Sequence, residues 1–261
     1  MHLRRTASFA AFAVVLTLAG LALAQGDGPY GSIADLKLVR PEDGKDMPSV
    51  KPPAGAIVLF DGTSLDNWVT RNSNGKEPAK WKLVDGGAME VIPKIGDIIT
   101  KQKFDGRFKL HVEFRVPYEP KSGGQGRGNS GVYLQGRYEV QVLDSYGLPP
   151  KNNECGGIYE VAAPLVNACK APTVWQSYDI EFTPPKCQDG KVVEPARMTV
   201  YHNGVKIHDN VEVKSDNTRA GLGGDVCTPG PIMLQDHGHP VQYRNIWLLP
   251  AEASKGEKKD S

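Results

Sequence analysis

The sequence predicts an all-β protein, a sandwich of two packed sheets. Three observations point there. Short segments alternate apolar and polar residues with a period of two, which sends successive side chains to opposite faces of a strand. The 29 glycines and 20 prolines are spread along the 261 residues and not gathered in one tract, as suits many strands joined by turns. No amphipathic helical window of useful length follows the N-terminal segment. Roughly ten strands in one open sheet would leave an apolar face in water, so two sheets sharing a core are expected.

Residues 1–24 read as a secretory signal peptide. Arg4 and Arg5 form a positive start, Phe9 to Leu23 an apolar stretch, and Ala22-Leu23-Ala24 a small-residue cleavage site before Gln25. The stretch is short for a spanning helix of about 20 residues, so export to the periplasm or the extracellular space is expected, with no membrane span. No cysteine ends the segment, which leaves a lipid anchor without support. Residues 25–54, rich in Gly, Pro and charge and without a sustained period, read as a flexible arm, either mobile or lying on the domain.

The domain is expected over residues 55–250. Ile57 to Phe60 make a first short strand, stopped by Asp61-Gly62, and Trp68 soon after is either core or a binding platform. "WKLVDGGAMEVIP" gives two strands around Asp85-Gly86-Gly87. In "RFKLHVEFRVP", Phe108, Leu110, Val112 and Phe114 alternate with Lys109, His111, Glu113 and Arg115 until Pro117 stops the strand. Glu113 and Arg115 are open to two readings, cleft lining or charges facing across adjacent strands. Residues 147–176 are irregular. "SYDIEFTPP" and "ARMTVYHNGVKIHDNVEV" return to strands with a two-residue turn at Asn203-Gly204, and "GPIMLQDHGHPVQYRNIWLLP" closes the domain before a charged, disordered tail over 251–261. Trp81, Trp175 and Trp247 read as core.

The net charge of +1, without a basic run interleaved with aromatics, speaks against nucleic acid. Cys155, Cys169, Cys187 and Cys227 are an even set in an exported chain, which argues for two disulfides with three pairings open. Cys155 with Cys169 closes a short loop, and Cys187 with Cys227 ties a Pro-rich excursion to a Gly-rich segment; these pairings are favoured. With no Cys-x-x-Cys spacing, a zinc site is disfavoured. His202 and His239 read as structural.

The chemistry concentrates in "NSGVYLQGRYEVQVLDSY", residues 129–146. Asn129, Tyr133, Gln135, Arg137, Glu139 and Gln141 occupy one set of alternate places, and Val132, Leu134, Val140 and Val142 the other. That pattern puts a row of groups able to donate, accept and bind on one outward face, with a turn at Gly136-Arg137.

"LFDGTSLDNW", "FDGRFKLHVEFRVP", "GNSGVYLQGRYEVQVLDSYG", "ECGGIYEVAAPLVNACKAP", "WQSYDIEFTPP", "VYHNGVKI" and "LQDHGHPVQYRNIWLLP" together resemble the bacterial 3-keto-disaccharide hydrolase domain family. The likeness covers about residues 55 to 250 in order. It implies a two-sheet jelly-roll sandwich of the concanavalin A-like lectin and glucanase type and a role in carbohydrate breakdown. The implied substrate is a 3-keto-glucoside made by a partner sugar 3-oxidoreductase; a non-catalytic carbohydrate-binding module is the alternative.

A second resemblance is to retaining glucanases of the laminarinase type, which carry Glu-x-Asp-x-x-Glu. Here the spacing holds Glu139, Gln141 and Asp144, and a bulge near Val142-Leu143 is needed to return Asp144 to the face of Glu139. Glu139 and Asp144 are the expected acid and base, with His237 the competing base because imidazole titrates near neutrality. Asn129, Gln135 and Gln141 suit sugar hydroxyls, Arg137 suits negative charge, and Tyr133 and Trp68 suit stacking on a pyranose. Asp236 is either a binding group or the organiser of a turn, and Glu139 with Arg137 is open to a plain surface pair. No cofactor is expected. Calcium held by Asp144, Asp225 or Asp236 stands as a further option, by likeness to lectins, without a contiguous Asp-rich loop.

Overall fold

A computed structural model describes residues 32–73 and 75–251. The expected signal peptide and nearly all of the expected tail lie outside these residues. Fifteen strands follow in chain order: β1 (Ile57–Phe60), β2 (Trp68–Thr70), β3 (Lys82–Val84), β4 (Ala88–Glu90), β5 (Ile98–Thr100), β6 (Phe108–Arg115), β7 (Ser130–Leu134), β8 (Tyr138–Val142), β9 (Gln176–Thr183), β10 (Lys186–Gln188), β11 (Lys191–Glu194), β12 (Ala196–His202), β13 (Val205–Val213), β14 (Met233–Leu234) and β15 (Gln242–Pro250). The large sheet runs β13-β12-β9-β6-β15-β4-β3, with β1 also on β15. The small sheet runs β2-β5-β14-β7-β8, and β10 and β11 form a separate hairpin. That hairpin, exposed along β11, has no clean alternation and is not anticipated from the sequence.

The alternation read from the sequence is what assembles the sandwich. Phe108, Leu110, Val112 and Phe114 of β6 and Val132, Leu134, Val140 and Val142 of β7 and β8 all enter one core. The two sheets meet there: the Tyr138 ring packs 5.7 Å from that of Phe182, and the Tyr243 hydroxyl reaches Ser130 Oγ at 2.6 Å. Each such side chain, fully buried, contributes about 1.5–3 kcal/mol through apolar area alone. Trp68 belongs to this core, fully buried, with its indole N–H donated to the Leu59 carbonyl at 2.9 Å. It is therefore no platform for a sugar, which corrects one expected binding residue.

Two tight turns set the registers. Gln135 and Gly136 have φ of 51° and 65°, and Arg137 N–H closes onto Leu134 O at 3.0 Å, the pattern of a two-residue hairpin turn with left-handed central residues. Asn203-Gly204 does the same between β12 and β13, with φ of 53° and 78°.

The chain before the domain is laid along the large sheet. Val39 N–H donates to the Tyr146 hydroxyl at 2.7 Å, which donates onward to Asp43 at 2.9 Å. Trp175 N–H donates to Asp46 at 3.0 Å, and Ser49 Oγ donates to Glu113 at 2.6 Å. Glu113 also accepts from Arg244 Nε at 2.6 Å and Asn245 Nδ2 at 2.7 Å. Glu113 thus binds the arm and β15, and Arg115 Nε donates to Gln242 of β15 at 2.7 Å. Among the described residues no helix is long and apolar enough to cross a membrane.

Cys187 and Cys227 are bonded, with Cα atoms 5.7 Å apart, tying the β10–β11 hairpin to the segment around 227. Cys155 and Cys169 are buried thiols, so the second expected bridge is not formed. Cys155 Sγ instead contacts the Tyr178 hydroxyl at 3.1 Å.

Candidate functional site

The outward face of β7 and β8 forms the floor of an open cleft of about 250 Å³. Tyr133 and Glu139 sit opposite one another across the two strands, as do Gly131 and Gln141. A side chain at Gly131 would collide with Glu139 Oε1 and the Tyr133 ring, so only glycine leaves room for the carboxyl there. Around this floor stand Gln125, Asn129, Tyr159, Arg219, Gln235 and His237.

Glu139 is 3 % exposed, and burial pushes its carboxyl up to about 8, against its hydrogen bond with Tyr133 and with the help of Asp97 and Glu160. At neutral pH it carries its proton. Its backbone is fixed on both sides: its N–H donates to Thr218 Oγ1 at 2.9 Å, and its carbonyl accepts Tyr159 N–H at 3.1 Å. The Tyr133 hydroxyl donates to Arg219 O and accepts from Gln235 Nε2, both at 3.1 Å. Burial raises its own titration well above the phenol value.

The amides at the other end are half-used. Asn129 Nδ2 donates to Gln125 O at 2.8 Å, and Gln141 Nε2 to Gln125 Oε1 at 2.9 Å. Asn129 Oδ1 and Gln141 Oε1 are buried and have no partner. Buried polar atoms are ordinarily paired, and two idle acceptors lining one cleft are suited to ligand hydroxyls. The rear wall is set by Arg71, which bonds Asp97 at 2.7 Å and the carbonyls of Ala220 and Gly221 at 2.9 Å each, so holding the segment that carries Arg219.

The structure thus brings together Asn129, Tyr133, Glu139, Gln141 and His237 of the residues read from the sequence. Gln135 and Arg137 go elsewhere. Gln135 lies in the hairpin turn and Arg137 just past it, and both line another cavity, of about 550 Å³, where the Arg137 guanidinium donates to the carbonyls of Gly223, Asp225 and Thr228 at 3.3, 2.8 and 3.2 Å. Gln135 Nε2 donates to Phe104 O at 2.9 Å.

Asp144 does not line the cleft. The β7–β8 register runs unbroken to Ser130 opposite Val142, Leu143 stays in the core, and Asp144 lies beyond the strand, its carboxyl raised by burial. Asp236 does not line it either. Its two oxygens accept Gly96 N–H at 2.8 Å and Gly238 N–H at 2.9 Å, which makes it the organiser of a turn. Neither these aspartates nor Asp225 joins a cluster of three metal-ligating side chains among the described residues.

Gln125, Tyr159, Arg219 and Gln235 are lining residues that sequence reasoning missed. Only Gln125, in the glycine-rich approach to Asn129, and Gln235, beside Asp236 and His237, had a nearby signal.

The cleft, lined by amides, phenols, one carboxyl, Arg219 and His237 on a two-sheet sandwich, fits the carbohydrate-active β-sandwich enzymes to which the chain is similar. Residues 55–249 match the family model described as the 3-keto-alpha-glucoside-1,2-lyase-like domain, and the chain belongs to that family. The resemblance seen in the sequence therefore holds. A candidate glycosyl hydrolase from Parabacteroides distasonis of known structure is similar over 81 % of this chain and 97 % of its own, at 36 % identity and a TM-score of 0.69. A second candidate glycosyl hydrolase from that organism shares the fold at 20 % identity, with 76 % and 95 % of the two chains covered and a TM-score of 0.54. No curated protein matches the chain.

Proposed function

We propose that the protein is exported and cleaves 3-keto-glucosides by β-elimination followed by hydration, a net hydrolysis. The observation that carries the reading is Glu139, a carboxyl kept protonated at neutral pH in a sugar-sized polar cleft. It is the only carboxyl among the described lining residues, so the two-carboxylate arrangement of ordinary glycosidases, with its separation of about 5–5.5 Å or more, is absent from that lining.

A ketone at C3 acidifies the hydrogen on C2. A base takes that proton, the C1–C2 double bond forms, and the C1–O bond breaks with its electrons leaving on oxygen. A general acid protonates the departing oxygen, and water then adds across C1 and C2 to give the free 3-keto sugar. Glu139 suits the acid role and His237, exposed at the mouth, the base. The Gln235 amide is suited to the enolate oxygen, and Asn129 Oδ1 and Gln141 Oε1 to the remaining hydroxyls. The partner reaction is a sugar 3-oxidation that installs the ketone. Export is supported by the N-terminal pattern and by the Cys187–Cys227 bond, which suits an oxidising compartment.

The test is to incubate the protein with a 3-keto aryl glucoside and its unoxidised parent in heavy-oxygen water, with products followed by mass spectrometry. The expected result is release of 3-ketoglucose labelled at C1, from the ketone alone. Cleavage of the parent at a similar rate would overturn the elimination route.

A further inference from the structure

Behind the cleft floor, three soft ligands meet in the core. Cys155, Cys169 and His202 are 3 %, 5 % and 1 % exposed, and their two sulfurs and a ring nitrogen all lie within 4.8 Å of one another, the one such cluster among the described residues. We propose that these three side chains are a closed structural site for a zinc-class divalent ion.

The imidazole is already oriented for it. His202 Nε2 lies 3.0 Å from Gln176 Oε1, and that atom also accepts the backbone N–H of Lys170 at 2.8 Å. An oxygen so engaged makes Nε2 the donor and leaves Nδ1 with its lone pair. A metal-binding histidine is held in this way, one nitrogen on a carbonyl and the other on the ion. Nδ1 faces Gly156, the neighbour of Cys155, where an added Cβ would lie 3.9 Å from it. The Tyr178 oxygen, 3.1 Å from Cys155 Sγ, donates its proton to Gln141 O at 2.6 Å and keeps lone pairs for a fourth position.

Zinc bonds sulfur at about 2.3 Å and nitrogen at about 2.0 Å, which keeps its donors within about 4 Å of each other. The triangle therefore needs to contract by at most about 1 Å. Charge selects the ion. Two thiols surrender two protons to solvent as a divalent cation binds, and two thiolates, one neutral imidazole and that cation sum to zero, whereas monovalent copper would leave a buried negative charge.

The site would fasten the cleft. Gly156 and Gly157, next after Cys155, exchange backbone bonds with Gln141 at 3.0 and 2.9 Å, and Tyr159 N–H bonds Glu139 O at 3.1 Å. An ion joining Cys155 to β12 and to the approach to β9 anchors the strand segment that carries both cleft residues, whatever sugar they bind.

Native mass spectrometry and elemental analysis of the full exported chain test the proposal. The expected result is one zinc per chain with a single disulfide, and cobalt replacement giving the visible bands of a tetrahedral thiolate site. Cys155→Ser and Cys169→Ser should abolish these bands, and Gln176→Ala should weaken the metal by about 10–100-fold. A mass corresponding to two disulfides without metal overturns the proposal, as do two titratable thiols that take up neither zinc nor cobalt. The wild-type cobalt spectrum decides even where a serine variant fails to fold.

Discussion

Glu113 and Glu139 are both buried glutamates, 2 % and 3 % exposed, Glu113 on the central strand β6 of the large sheet and Glu139 on β8, the last strand of the small one. Burial alone would raise both carboxyls. At Glu113 hydrogen bonds from His111, Ser49, Asn245 and Arg244 outweigh it and bring the group down to about 2. At Glu139 only Tyr133 opposes burial, and the group stands at about 8. What separates a structural carboxylate from a candidate acid is therefore the supply of donors around it, not its depth. The arm and β15 furnish those donors on the large sheet, while the small sheet leaves its carboxyl short of them and its amide acceptors idle.

The sharpest way to break the contrast is Glu139→Gln. Activity on a 3-keto-glucoside should fall by about 10²–10⁴, and the wild-type loss of kcat as pH rises through about 8 should disappear from the pH profile. Stability should also fall as pH rises, over a window that begins lower. A carboxyl raised from 4.5 to about 8 gives its full stabilisation below pH 4.5 and loses it as pH rises to 8. Melting curves of wild type should fall across that window and those of the variant should not.

Glu113→Gln is next. Leaving Arg244 without its carboxylate should cost about 3–5 kcal/mol in denaturant unfolding, with kcat per folded molecule unchanged. Its linkage has the other sign: a carboxyl lowered from 4.5 to about 2 stabilises above 4.5, and that contribution is lost as pH falls towards 2. A variant that unfolds in acid along the wild-type curve would remove Glu113 from the role.

Gly131→Ala sharpens the comparison without replacing a titrating group. Displacing the Glu139 carboxyl should cost about 100-fold in kcat while the circular dichroism spectrum stays native. The smallest effect is expected for Gln141→Leu, an increase in KM of about 10-fold from one lost hydroxyl contact with kcat little altered.

Much of this was legible in the sequence because the decisive signals are local. Period two over 130–142 put Tyr133, Glu139 and Gln141 on one face, and that face is the cleft floor. The same rule misled at its ends, since a face persists only while the strand does. The turn at Gln135-Gly136 carries Gln135 and Arg137 to the other cavity, and the absence of a bulge leaves Asp144 outside. Trp68 was ambiguous because an indole suits a core as well as a platform. The walls were invisible for another reason: the bonds that bring them in, Thr218 to Glu139 and Gln235 to Ser130, join residues 79 and 105 apart, and no spacing encodes such meetings. For the same reason Cys155, Cys169 and His202 carry no zinc-like spacing, although the fold gathers them.

The hairpin that makes the floor has a kinetic consequence. Its pairings span only residues 130 to 142, and contacts so near in sequence close early, whereas walls recruited from residues 218 to 235 must wait for long loops to close. Until they arrive, water reaches the Glu139 carboxyl and keeps it ionised. Docking of the last segment therefore draws one proton from neutral buffer, and a refolding reaction followed with a pH dye should report completion of the cleft as a late uptake step, after the β signal has already appeared.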